Sequence, residues 1–230
     1  MQIALALYDR FTALDIVGPF QVLAELPGAE CAFVAETPGP VLDHTGVLSM
    51  VATASFAEVT APDIVVVPGG LADGDATPDD PMVQWIRAVH PTTTWTTSVC
   101  TGSIYLALAG LLDGVDATCH WSDLEHLGEL GALPTSERVV IRGRVATAAG
   151  VSSGIDLGLT LAAELCGDDV AKAVQLAIEY DPEPPFDAGS PEKAGPELVA
   201  VVRAVMADPA RQARRAAARA QPGGLPDRQP

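Results

Sequence analysis

Residues 93–103 read TTWTTSVCTGS, and the way this stretch turns a corner decides the fold. Residues 92–99 are rich in β-branched side chains and carry no charge, a pattern that predicts a buried strand. Cys100 stands at its end, and Gly102 opens the apolar segment 102–112, whose spacing predicts a helix. A strand, a nucleophile and a helix in direct succession form the elbow turn known from hydrolases. Upstream, DIVVVP at 63–68 predicts the clearest core strand, which ends in Gly69-Gly70. Residues 2–8 and 30–37 predict two more strands, and 46–53 an extended or hairpin segment. Pro19 suits the first turn of a helix over 20–26, and 81–90 and 122–130 also predict helices. Downstream, 138–141 and 145–148 flank Gly143 as a β-hairpin. Residues 152–165 and 168–180 predict helices separated by Gly167, and 196–206 a last one. The proline-rich DPEPPFDAGSP at 181–191 predicts an extended surface loop. Such alternation predicts an α/β fold, a mostly parallel sheet with helices on both faces. One domain is expected over 1–206, followed by an Arg-rich, partly disordered tail at 207–230.

The chain has 230 residues, 48% hydrophobic, 19% charged and 5% aromatic, which suits a soluble globular protein. No apolar run approaches the roughly 18 residues of a membrane span, and no membrane partner is expected. The N-terminus opens on a strand-like run with no basic region before a long apolar stretch. That argues against a signal peptide and for a cytoplasmic setting. The net charge is −17. Residues 203–230 hold six arginines against Asp208 and Asp227, a local +4, so the first 202 residues carry −21. So acidic a body repels phosphate backbones, and nucleic acid is an improbable partner.

Four cysteines, Cys31, Cys100, Cys119 and Cys166, lie far apart with no Cys-x-x-Cys, which indicates neither a zinc site nor a disulfide framework. Asp, Glu and His do not cluster with metal-ligand spacing, and no phosphate-binding Gly-rich loop is present. The expected chemistry is therefore free of metal and cofactor. Cys100 is its centre. A helix starting behind the sulfur aims N–H groups and a positive dipole end at it, which should lower the thiol pKa. The other three cysteines read as packing residues. Gly69 and Gly70, directly after a core strand, allow close backbone approach and leave N–H groups free for a developing negative charge. Asp15, between Leu14 and Ile16 in the loop expected after the first strand, can exchange a proton with a nearby thiol. An N-cap role is the alternative for it. A Cys-His hydrolase needs an imidazole at the sulfur, but Thr101, not histidine, follows Cys100. His120 is the best-placed candidate that remains, beside Trp121 as a packing partner, while His44, His90 and His126 read as surface or helix-end residues.

Five motifs together resemble the ThiJ/PfpI superfamily, whose fold is like that of class I glutamine amidotransferases. They are ALYDRFTALDIVGPFQVL (6–23), DIVVVPGG (63–70), SVCTGSIYLALAGLLDG (98–114), ATCHW (117–121) and ATAAGVSSGIDLGLTLAAELCG (146–167), followed by AIEYDPEPPFDAGSP (177–191). Within the superfamily the likeness is to the isonitrile hydratase branch, carried by Asp15, Cys100-Thr101 and the 179–191 segment. It runs from about residue 1 to 191. The resemblance implies a flavodoxin-like fold, a homodimer and a small-molecule isonitrile as substrate, hydrated to an N-substituted formamide. By the same likeness Cys100 is the nucleophile, Asp15 the acid that delivers the proton, and Thr101 an orienting hydroxyl. Cys100 would attack the isonitrile carbon to give a thioimidate that water releases. Gly69, Gly70 and Gly150 are expected around the substrate, with Ile16, Trp121 and Ile155 lining an apolar pocket. The helix after Gly150 would pack beside the site, and Gly150 would let it move.

Two further readings stand beside this one. The same fold forms the sensor half of AraC-like regulators, so a stand-alone ligand-binding domain is an alternative. About 39 residues follow Pro191, too few for the helix-turn-helix region expected of such a regulator. A redox sensor would instead oxidise Cys100 to sulfenic acid. A peptidase or amidase lacks its histidine after the nucleophile.

Overall fold

The computed structural model describes residues 1–70 and 76–207. Ile3, Leu5 and Leu7 belong to one hydrophobic core and Ala4 and Ala6 to another, and all five are fully buried. Successive side chains of a strand point to opposite faces, so this first strand is covered on both. In chain order the elements are β1 (Gln2–Ala6), α1 (Ala13–Leu23), β2 (Glu30–Ala35), β3 (Gly39–Leu42), β4 (Ser49–Ala52), β5 (Ala54–Ser55) and β6 (Ile64–Val67). Next come α2 (Pro81–Val89), β7 (Trp95–Val99), α3 (Gly102–Leu108), β8 (Asp116–Ala117), α4 (Leu124–Glu129) and β9 (Leu133–Pro134). The last are β10 (Val139–Arg142), β11 (Val145–Ala148), α5 (Ser153–Cys166), α6 (Asp168–Ala177) and α7 (Pro191–Ala207).

Seven strands form one sheet in the order β10-β11-β7-β6-β1-β2-β5. Every neighbouring pair is parallel except the β10–β11 hairpin. Leu23 of α1, Leu157 and Leu161 of α5 and Val174 of α6 bury against one face. Ile86 of α2, Leu106 of α3 and Leu127 of α4 bury against the other. This is the expected flavodoxin-like arrangement. The chain winds outward from β1 through β2, then returns to the other side of β1 as β6. The carboxyl ends of β1 and β6 therefore open the crevice where ligands bind in such sheets.

Three expectations need correction. Helix α1 starts at Ala13, so Pro19 lies inside it and Asp15 sits in its first turn, neither in a loop nor at the N-cap, which is Thr12. A mid-helix proline forfeits one amide bond, here to the Asp15 carbonyl. Helix α5 packs over that gap: a Cβ on Gly154 would come 2.9 Å from Pro19 Cδ and 3.4 Å from the Asp15 carbonyl oxygen. The segment 46–53 contributes one strand of the β3–β4 hairpin, outside the main sheet. The last helix begins at Pro191, and Gly195, at φ 77°, divides it so that the expected 196–206 helix is its second piece. The tail expected beyond α7 lies outside the described residues.

Candidate active site

Cys100 follows β7 with φ 58°, a left-handed conformation that a residue with a side chain seldom adopts. Such backbone costs about 1–3 kcal/mol and persists only where its surroundings enforce it. The enforcement is visible on both sides. The Cys100 amide donates to the carbonyls of Ala148 and Ala149, each at 3.0 Å. On the far side, a Cβ on Gly102 would lie 2.3 Å from the Val67 carbonyl oxygen, so only glycine lets α3 start this close to β6. The sequence SVCTG thus becomes an elbow because its glycine and its strand end are both clamped.

Asp15 is fully buried, and Cys100 and Thr101 are nearly so at 6% and 7% exposure. The Gly69 amide donates to Asp15 Oδ2 at 2.9 Å, and the Gly70 amide donates to Thr101 Oγ1 at 3.1 Å. Neither amide is the free donor expected from the sequence. A buried carboxylate and a buried hydroxyl recruit them first, because unsatisfied polar groups are costly inside a protein. The two glycines therefore position the acid and the hydroxyl. Gly69 also tolerates no side chain, since a Cβ there would sit 2.5 Å from Thr101 Oγ1 and 2.8 Å from Cys100 Cβ.

The Cys100 thiol is raised well above its ordinary value, first by burial and then by the Asp15 charge. The Val151 and Thr101 amides point at the sulfur and favour thiolate, but they do not overcome those two effects. This reverses the expectation from the helix dipole: α3 spans only seven residues, and desolvation outweighs it. The thiol and the carboxyl are thus both buried, and the charge of one acts on the other. Val151, the amide donor, is itself strained at φ 27°.

A cavity of about 760 Å³ opens beside this group, walled in part by Cys119, His120, Trp121, Gly150 and Val151. Cys100 is one hydrogen bond behind the Ala149–Val151 stretch of that wall. Trp121 and Gly150 are among the residues that line the cavity. Ile16 does not: it is fully buried in the core. Ile155 does not either, because it packs against Gly18 where α5 crosses α1.

A model described as the DJ-1/PfpI family matches residues 1–164. The chain belongs to the DJ-1/PfpI family. It is 42% identical over 199 residues to the isonitrile hydratase of Pseudomonas putida, across 86% of this chain and 87% of that one. Its structure is similar to that of a ThiJ/PfpI family protein from Pseudomonas syringae, with a TM-score of 0.84 at 37% identity, covering 94% and 90% of the two chains. It is also 35% identical over 147 residues to the HTH-type transcriptional regulator CdhR of Pseudomonas aeruginosa, 62% of this chain but 42% of that one.

In this DJ-1/PfpI chain several residues escaped the sequence reading. Val151 gives no sequence signal as a donor, because any residue can offer an amide. His120 packs beside Trp121 as expected, ring centroids 5.5 Å apart, but it also engages Ser122 at 2.6 Å through Nδ1. Arg203, counted with the basic tail, belongs to α7 and lies over the Trp121 ring at 4.9 Å. Arg138 pairs with Asp156 at 2.6 Å and reaches Ser152, tying β10 to the start of α5. Tyr180, from the EYDP segment, adds a hydroxyl to Asp156 at 3.3 Å.

Proposed function

We propose that this chain is an isonitrile hydratase that converts R–N≡C to an N-substituted formamide through a thioimidate on Cys100. The observation that carries this reading is the buried Cys100 at a strained elbow, electrostatically coupled to the fully buried Asp15. The 42% identity to the Pseudomonas putida enzyme over most of both chains supports the same activity. Isonitrile carbon accepts a soft nucleophile and needs a proton on that same carbon. Cys100 sulfur forms the S–C bond while its proton passes by way of Asp15 to carbon, giving Cys100–S–CH=N–R. Thr101, held by the Gly70 amide, orients the reacting group. Water then adds to the imidate carbon, and collapse of the adduct expels sulfur and releases the formamide. An apolar R group occupies the cavity beside Trp121 and Gly150. A homodimer in the cytoplasm belongs to the same reading.

Incubation with an alkyl or aryl isocyanide, followed by NMR, should yield the formamide, and Cys100→Ala should abolish it. An inert wild type under reducing conditions, or an active Cys100→Ala, would overturn the proposal. The likeness to CdhR favours one competitor, a ligand sensor. A sensor would show ligand-induced melting shifts with no product.

A further inference from the structure

The cavity beside the elbow is uneven in charge. Trp121, Val151 and Val199 give it apolar wall, and three charged side chains line it as well: Arg138, Glu192 and Arg203. Arg138 is already neutralised, because it donates to Asp156 at 2.6 Å and to Ser152 at 3.2 Å. Glu192 stands in the first turn of α7 and Arg203 about three turns further on, a span of roughly 16 Å for continuous helix. Gly195 breaks the helix between them. One end of α7 thus brings a negative charge to the cavity and the other a positive one.

Arg203 is unusual in this molecule. Acidic side chains outnumber basic ones 30 to 13. Among the described residues, each of the seven other basic side chains meets an oxygen. Five lie against carboxylates, as Arg142 does against Asp116 at 2.7 Å. Arg87 and Arg144 donate to backbone carbonyls. Arg203 meets the Trp121 ring instead, its guanidinium carbon 4.9 Å from the centroid. A ring face steadies a cation but offers no acceptor oxygen to the five N–H donors of a guanidinium. The net charge of −17 is spread over the chain and screened over about 10 Å at 0.1 M salt, so the charge nearest a ligand decides.

We propose that the apolar R group of the isonitrile ends in a carboxylate, which Arg203 binds while Trp121 carries the stem. The inference rests on the hydration reading above and names the substrate class of that same cavity. One guanidinium balances one negative charge, and its planar fork matches the two oxygens of a carboxylate. Glu192 repels a carboxylate that enters the wrong way round, so the two ends of α7 give the substrate one orientation. Arg203 touches no reacting atom and forms no bond in the reaction. It sets which isonitrile is held at the sulfur, and neutral isonitriles are bound less tightly. The formamide product keeps the same carboxylate, so its binding depends on Arg203 too.

The test compares p-isocyanobenzoate with its methyl ester, which keeps the aryl stem and removes the charge. Wild type should favour the acid in kcat/KM by about tenfold or more, with the difference in KM and not in kcat. Arg203→Met retains a side chain that packs on Trp121 and should bring the acid-to-ester ratio close to unity. Arg203→Lys, which returns the charge without the fork, should restore part of the preference. A wild type that turns over the ester as well as the acid, or a ratio that Arg203→Met leaves unchanged, would overturn the proposal. A second arm needs no turnover: calorimetric titration with p-formamidobenzoate and its methyl ester. The acid should bind wild type about tenfold more tightly than the ester, and Arg203→Met should abolish the difference. If wild type makes no formamide from either isocyanide, the hydration reading fails, and this arm still decides whether Arg203 binds a carboxylate. Equal binding of acid and ester, or no binding of the acid, would overturn that assignment.

Discussion

Asp15 and Cys100 depend on each other electrostatically, so substituting one should be read at the other. Asp15→Asn preserves shape and removes the exchangeable proton, and turnover should fall at least about 100-fold. The same change deletes the negative charge that raises the thiol. The midpoint of the pH dependence of Cys100 alkylation by iodoacetamide should therefore move downward, and an unmoved midpoint would separate the two groups. Stability carries the matching sign. The folded thiol keeps its proton to higher pH than an unfolded one, which ionises near about 8.5. Above that value the unfolded chain binds fewer protons than the native one, so stability falls as pH rises toward the folded value. Thermal melts should show that alkaline loss in wild type and less of it in Cys100→Ala. Gly69→Ala tests close approach: its Cβ would meet Thr101 and Cys100 at 2.5–2.8 Å. Overpacking of that kind costs about 1–3 kcal/mol, and urea denaturation together with formamide assays should register both lost stability and lost turnover.

At the scale of elements, the site depends on how α5 lies across α1. Small residues permit that approach. A Cβ on Gly158 would come 2.9 Å from Val22 Cβ, and one on Gly18 3.1 Å from Ile155 Cγ1. Val151, just before α5, brings its amide to the sulfur, so displacement of this helix acts on Cys100 at a distance. Gly158→Ala should destabilise the protein by about 1–3 kcal/mol in denaturant titrations. It should also slow turnover, although residue 158 touches no reacting group. Unchanged turnover with reduced stability would mean that the elbow holds itself without α5. The Arg138–Asp156 pair is partly exposed, and its value to stability is small, about 0–1 kcal/mol.

The whole molecule combines a strongly acidic body with a basic end, and the candidate site draws on neither charge excess. Its groups Asp15, Cys100 and Thr101 are buried. Removal of residues 208–230 should accordingly leave formamide production and the melting temperature nearly unchanged, which assay and calorimetry of a 1–207 chain would check. A large loss would assign the tail to the fold or to an assembly. Sedimentation equilibrium should give twice the chain mass of 23.7 kDa if the proposed homodimer forms.

Much of this architecture was legible because it rests on local physics. β-branched runs ending in glycine or cysteine predicted β6 and β7, and Gly102 after Cys100 announced the elbow, since strand burial and turn sterics act over a few neighbouring residues. The start of α1 was misplaced because Pro19 reads as a helix opener until α5 packs over the bond it forfeits. The glycine amides were misassigned because the sequence cannot say which buried acceptor reaches a donor first. The thiol shift and the Val151 donor depend on which distant segments meet and on how much water they exclude. Local sequence determined the sheet, the elbow and the choice of Cys100 and Asp15 as candidate residues. Tertiary packing decided their protonation, their partners and the cavity they face, because desolvation and long-range contacts exist only once the chain has closed around them.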